Sequence, residues 1–224
     1  MTSLNAAKLA LRFPAGLYGV TPEWNDTKAL ERAVRAAASG GMRALQFRHK
    51  SPDRGLRKEL AQGLKTLCRE LEVIFFINDD WRLALELKAD GIHLGQHDDS
   101  PQLVRAEIGP DMLLGVSCYA NPQLAQQLLQ VDVAYIAFGA MYASQTKPLA
   151  PPAPLAVLRQ GRDLCERYSA PRPAVVAIGG IGPQHAQALA LAGADSIAVI
   201  GSLFMAPDIE AAARALSQPF SSLV

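Results

Sequence analysis

Asp79 and Asp98 each close a short apolar run that ends in polar residues, FFIND over 75–79 and GIHLGQHD over 91–98. The helix-length segment DWRLALELKAD (80–90) lies between them. If the two runs are parallel neighbouring strands, their polar ends share one sheet edge and the carboxylates converge. Like charges so placed raise each other's pKa. A hard cation such as Mg²⁺, held by one or two carboxylates and by substrate phosphates, relieves that conflict. On these two residues alone, a ligand role and plain strand-end polarity stay equally open. Asp80 reads only as the N-cap of a helix beginning at Trp81.

A second group precedes them. Ala44 to Phe47 reads as a strand that runs into Arg48-His49-Lys50. Alternate strand residues share a face, so Gln46, Arg48 and Lys50 would present an amide, a guanidinium and an ammonium together. That set suits a polyanion such as diphosphate, with Arg giving planar two-point contacts and Lys a point charge. A solvated strand end is the bland alternative. Downstream, the loop over 140–154 holds Ser144-Gln145-Thr146-Lys147 and then four prolines, Pro148, Pro151, Pro152 and Pro154. It reads either as a flap closing over charged substrate groups or as an exposed loop. Gly179-Gly180-Ile181-Gly182 and Gly201-Ser202 follow the last two apolar runs. Backbone N–H groups approach a phosphate closely only where side chains are absent, so these glycines suggest a phosphomonoester site, or simply tight turns. His93 is expected inside and His185 on a helix. His93 and His97 straddle a strand end, so zinc-protease geometry fails, and no nucleophile elbow is visible.

These residues need a frame that brings strand ends together. Apolar runs suggest strands at Leu17–Thr21, Ala44–Phe47, within 75–79 and 91–95, and at Leu113–Ser117, Ala134–Gly139, Ala174–Ile178 and Asp195–Ile200. Segments of helical periodicity separate them; Leu56, Leu60, Leu64, Leu67 and Leu71, for instance, form one stripe. The junctions GGMRALQF, KADGIHLG, VDVAYIAFG and AGADSIAVIG repeat one pattern, a helix end passing through a small or acidic residue into an apolar strand. This is the signature of βα units with buried parallel strands. Eight such units in 224 residues favour an α/β fold, a single (β/α)₈ TIM barrel domain over 1–224 with a short N-terminal helical extension (1–16). In such barrels the active site lies at the carboxyl ends of the strands, where every polar cluster above falls. Residues 4–11 are too short to span a bilayer and are expected to form a helix covering one end of the fold.

Half of the residues are hydrophobic, enough for a large core, and the formal charge of +1 shows no basic stripe of the kind nucleic acid needs. Cys68, Cys118 and Cys165 are odd in number and form no CxxC pair, which suits reduced thiols in a cytoplasmic protein. No membrane partner is expected; a homo-oligomer would cover some outer helices.

Several short motifs, in order, carry a resemblance from Leu17 to Leu216: Gln46-x-Arg48-x-Lys50, Ile77-Asn78-Asp79, His93-x-Gly95-Gln96-x-Asp98, Gly115-x-Ser117, Gly139 through Thr146-Lys147, and Gly179-Gly180-Ile181. The chain resembles the thiamin phosphate synthase family. That resemblance implies condensation of 4-amino-2-methyl-5-hydroxymethylpyrimidine diphosphate with a thiazole phosphate, giving thiamin phosphate and diphosphate. It implies that Gln46, Arg48, Lys50 and Asn78 hold the pyrimidine diphosphate, that Asp79 and Asp98 bind Mg²⁺, and that Ser117 and Lys147 contact the diphosphate. Arg48, Ser117 and Lys147 would be the catalytic group. Ser144, Thr146 and the flap would border the thiazole, with its phosphate at Gly180, Gly201 and Ser202. The chain departs from the family pattern at Pro22, often Asp; Cys118, usually Thr; Ala140, a proline; Ser144, expected Thr; and Gly201, commonly Ser. Two other functions compete: a thiazole tautomerase of the same fold, and a non-enzymatic phosphate-ligand sensor. The retained Gln46-Arg48-Lys50 set and both aspartates oppose the first; a metal site would be superfluous in the second.

Overall fold

The computed structural model describes residues 10–143 and 152–223. Eight parallel strands close into a barrel in sequence order: β1 Gly16–Val20, β2 Met42–Phe47, β3 Ile74–Asn78, β4 Gly91–Leu94, β5 Leu113–Tyr119, β6 Tyr135–Phe138, β7 Ala174–Ile178 and β8 Ser196–Val199. Between and after them run α1 Thr27–Ser39, α2 Arg54–Glu70, α3 Trp81–Leu87, α4 Pro101–Ile108, α5 Pro122–Leu128, α6 Ala156–Cys165, α7 Pro183–Leu191, the short α8 Gly201–Phe204, and α9 Ile209–Ser217. The expected (β/α)₈ barrel is therefore present. Among the described residues no helix is long and apolar enough to cross a membrane.

Period two sorts each strand into two cores. Leu17, Leu45, Phe75, Ile77, Ile92, Leu114, Val116, Ile136, Phe138, Val175 and Ile197 face the helices. Tyr18, Ala44, Phe76, Tyr135, Ala137, Val176 and Ala198 fill the barrel interior. Both faces are apolar, which is why the strands read as continuous runs. The helix stripes supply the outer layer; in α2, Leu60, Leu64 and Leu67 are buried. Side chains of Asp26, Asp53, Asp80, Asn121 and Asp208 accept the N–H three residues on and start their helices. Asp80 thus has the capping role expected of it.

The acidic junction residues have a shared task. Asp90, just before β4, accepts from the Phe75 amide of β3 at 2.7 Å. Asp195, just before β8, accepts from the Val175 amide of β7 at 2.8 Å. Each ties an incoming strand to the start of its neighbour. Asp195 also meets both guanidinium nitrogens of Arg172 at 3.0 and 2.9 Å and pairs with Arg162. This cluster lies at the amino-terminal floor of the barrel, the end associated with stability.

The N-terminal segment departs from expectation where it is described. Ala10 and Leu11 are not helical: Leu11 bridges Arg172 in parallel fashion, and the Arg12 amide donates to the Arg172 carbonyl at 3.0 Å. Residues 4–9 of the expected helix lie outside the described residues. At the floor, Phe13 places its ring 4.5 to 5.5 Å from those of Tyr135, Tyr18 and Phe76.

Candidate active site

The polar strand ends gather at the carboxyl mouth. β3 and β4 are in register with Asn78 opposite His93, so the residues that follow them are neighbours. Asp79 adopts a left-handed φ of 65°, a conformation that Asp tolerates better than most residues, and its amide donates to the His93 carbonyl at 2.9 Å. Asp98 is anchored by the Gly95 amide at 2.6 Å. The carboxyl groups of Asp79 and Asp98 come within hydrogen-bonding reach of each other. Desolvation, then the contact with Asp79, pushes the Asp98 carboxyl above the ordinary carboxylate range. The Lys50 ammonium pairs with Asp79 and also acts on Asp98. The convergence expected of the two aspartates is therefore present.

These residues fit a hard cation. Both are oxygen donors, their mutual repulsion favours a positive charge between them, and Lys50 already supplies one. Among the described residues no cluster of three or more His, Cys, Asp or Glu side chains forms a metal cage. A cation here would complete its shell from water and ligand oxygens, the habit of Mg²⁺.

The expected shared face of Gln46, Arg48 and Lys50 is not formed, because β2 ends at Phe47. Gln46 turns into the barrel, only 4% exposed, and donates to the Tyr18 hydroxyl at 2.9 Å. Arg48 sits on the loop above. Its amide donates to the Thr21 hydroxyl at 2.9 Å, that hydroxyl donates to the Arg48 carbonyl at 3.2 Å, and its guanidinium pairs with Glu23 at 2.9 Å. Arg48 and Lys50 still reach the mouth, from separate positions.

Gly180 lies at φ 63°, and a Cβ there would stand 2.4 Å from the Ala143 carbonyl oxygen; Gly179 has φ 101°. Both are required by the close approach of the chain after β6, which is strapped on by Tyr142 N–H to Gly179 O at 3.0 Å. Gly201 opens α8 with free space around it. The Ser202 hydroxyl donates to the Ile181 carbonyl, joining the β7 and β8 loops. Gly180, Gly201 and Ser202 are thus brought together. Ser144, Thr146 and Lys147 lie outside the described residues. Cys118, one of the departures, faces the outer core, where burial pushes its thiol up to about 12; it takes no part in the site. Cys68 and Cys165 are likewise free and buried.

Sequence reasoning missed Tyr18 and Tyr135. The two hydroxyls lie 3.0 Å apart, Tyr135 contacts His93 Nδ1 at 2.8 Å, and His93 Nε2 contacts the Ser117 hydroxyl at 2.9 Å. Gly115 makes room, since a Cβ there would fall 2.0 Å from the Tyr135 ring. The available signal was a tyrosine sharing an inner face with small residues (Tyr135 with Ala137), because a buried phenol needs a hydrogen-bond partner. His185, on α7 as expected, accepts from the Gly182 amide at 3.1 Å and stacks on Tyr142 with centroids 3.7 Å apart.

His93 is inside, as expected. Burial lowers its pKa to about 4, only partly offset by Asp79. The unfolded chain therefore binds the proton more readily between that value and the ordinary 6.5, so stability falls as pH drops through this window. From this residue alone the protein should be about 2 kcal/mol less stable at pH 5 than at pH 7. Urea unfolding at both pH values should show that difference shrinking in His93→Gln; an undiminished difference would exclude His93 as its source.

Comparison with known proteins gives a consistent result. The thiamine monophosphate synthase family profile matches residues 17–203. The thiamine-phosphate synthase of Bordetella pertussis is 57% identical over 211 residues, 94% of this chain and 97% of that protein. The thiamine-phosphate synthase of Chromobacterium violaceum is 44% identical, with 92% and 97% covered. Among solved structures, thiamine phosphate pyrophosphorylase from Pyrococcus furiosus superposes with a TM-score of 0.79 at 29% identity, covering 95% of this chain and 98% of that one.

Proposed function

The chain belongs to the thiamine monophosphate synthase family, and from that premise we propose that this transferase joins 4-amino-2-methyl-5-hydroxymethylpyrimidine diphosphate to a thiazole phosphate, forming thiamine phosphate and releasing diphosphate. One observation carries the assignment of the site: Asp79 and Asp98 converge at the barrel mouth with Lys50 beside them. All of these groups sit on one closed barrel, which supports reading the chain as a single domain, and its buried free thiols suit a cytoplasmic enzyme.

Asp79 and Asp98 would hold Mg²⁺. Bound there, the ion would neutralise charge on the departing diphosphate. Arg48 and Lys50 reach the same mouth and would grip the diphosphate oxygens, with Arg48 held at its backbone by Thr21. Asn78 ends β3 beside them, and Gln46 lies deeper, where the pyrimidine would enter. Ser117 would donate to the diphosphate, and Lys147 would approach it from the loop over 140–154. Ser144 and Thr146 would border the thiazole, and Gly180, Gly201 and Ser202 would receive its phosphate. No side chain of the described site is poised to take the pyrimidine covalently. That supports departure of diphosphate first, followed by attack of the thiazole nitrogen on the methylene carbon.

The test is direct. The purified protein with both substrates and Mg²⁺ should yield thiamine phosphate and diphosphate in equal amounts; no product at saturating substrates would refute the assignment. Arg48→Ala should weaken binding of the pyrimidine diphosphate by about ten- to a hundredfold, the loss expected for one charge-assisted contact, and leave thiazole phosphate binding nearly unchanged. Equal losses for both ligands in calorimetry would give Arg48 a structural role instead.

A further inference from the structure

Five side chains form one hydrogen-bonded line through the barrel interior: Gln46, Tyr18, Tyr135, His93 and Ser117. The first four are at most 8% exposed, whereas Ser117 is half-buried at the mouth. We propose that this line fixes the direction of every proton in it, so that Ser117 can only donate outward, to an anion at the mouth, and that His93 and Tyr135 are positioning residues for the reaction. The inference rests on the reading of Ser117 as a diphosphate contact.

The direction follows from counting donors. The Gln46 amide nitrogen faces Tyr18 and donates to its oxygen at 2.9 Å. Tyr18's buried proton needs an acceptor, and the Tyr135 oxygen 3.0 Å away is the one beside it; Tyr135 in turn spends its own proton on His93 Nδ1 at 2.8 Å. A neutral imidazole that accepts at one nitrogen carries its proton on the other. His93 Nε2–H therefore donates to Ser117 Oγ at 2.9 Å. A serine hydroxyl has one proton; with an inward lone pair occupied, that proton is left for the mouth. A diphosphate oxygen offers only lone pairs, so it is met by a donor already oriented, and no rotor has to be reorganised as charge develops on the leaving group.

Without the Tyr135 hydroxyl, Nδ1 has lost its donor and the imidazole is free to carry its proton there. In that tautomer Nε2 accepts, Ser117 turns its proton inward, and a lone pair faces the anion. Tyr135→Phe keeps the ring that packs against Phe13 and Phe76 and removes only the hydroxyl, and with it one hydrogen bond each to Tyr18 and His93.

The experiment uses the full-length protein with Mg²⁺ and both substrates. The parent, Ser117→Ala, Tyr135→Phe and the double variant are compared for kcat, for KM of each substrate and for the Kd of inorganic diphosphate. Ser117→Ala should lower kcat and weaken diphosphate binding by about tenfold or more. Tyr135→Phe should lower both several-fold and leave KM for the thiazole phosphate unchanged. The double variant should be no worse than Ser117→Ala alone, the mark of residues acting through one another. Losses that multiply, or a Tyr135→Phe protein with parental kcat, overturn the inference. A parental kcat in Ser117→Ala would instead remove the reading of Ser117 on which it rests. Should Tyr135→Phe fail to fold, His93→Gln, which retains an N–H toward Ser117, should keep most of the activity that His93→Leu loses; equal losses in those two overturn the inference as well.

Discussion

Asp79→Asn or Asp98→Asn lowers turnover on the order of a hundred- to a thousandfold, the range for losing one preorganised electrostatic contact at a site of developing charge. Each change keeps the side-chain shape and removes half of the negative charge available to a hard cation. Neither residue belongs to the hydrophobic core, and Asp79 has a side chain 28% exposed, so thermal melting should stay close to the parent. The left-handed backbone at Asp79 is tolerated by Asn as well as by Asp, which makes this substitution a clean probe. Chelation by EDTA should remove activity from the parent to the same extent, with excess Mg²⁺ restoring it. Full turnover in either variant without added metal would end the proposal of a shared cation.

Asp195→Asn has its effect on stability. The Asp195 carboxylate is 2% exposed and meets Arg172, itself 5% exposed, and Arg162 at 20%. Removing the charge leaves the buried Arg172 guanidinium with no counter-ion among the described residues and Arg162 with only Glu166, 3.6 Å away, a loss of about 3–5 kcal/mol for a broken buried pair. That is a large share of the roughly 5–15 kcal/mol that holds an ordinary domain folded. The urea midpoint should fall accordingly, whereas Asp90→Asn, which weakens one bond to the Phe75 amide, should cost nearer 1 kcal/mol. Because the cluster lies at the floor and the chemistry at the mouth, the fraction that remains folded should turn over at the parental rate. A midpoint shift no larger than that of Asp90→Asn would show that the two arginines find water or other partners.

The sequence made the frame legible through repetition. Apolar runs at a regular spacing, each entered through a small or acidic residue, are what buried parallel strands need at their start; Asp90 and Asp195 show the reason, each binding the amide of a neighbouring strand's second residue. Asp79 and Asp98 were legible because parallel neighbours in register bring equivalent ends together whatever lies between them. Gln46, Arg48 and Lys50 were legible as residues but not as a face: where a strand stops is set by pairing partners, and β2 stops at Phe47. At Ala10 and Leu11 the expected helix is not formed, because LNAAKLAL has helical composition while the ladder available at Arg172 decides the fate of Leu11. Tyr18 and Tyr135 were passed over because each looks like one more apolar residue in its run. Only the alternation of the closed barrel turns both hydroxyls onto the same line.

The closing seam between β1 and β8 sets a schedule for the molecule's birth. Gly16 lies opposite Ser196, whose hydroxyl donates to the Gly16 carbonyl across 180 positions of chain. Synthesis at about 5–20 residues per second separates the emergence of those two by roughly ten to forty seconds. During that interval β1 can pair with β2 along one side only, and its other side presents open N–H and C=O groups, a template for the wrong chain. Five-residue strands keep that template short. Crowded synthesis of many copies is therefore the moment at which this protein is most exposed to misassembly, well before any substrate reaches its mouth.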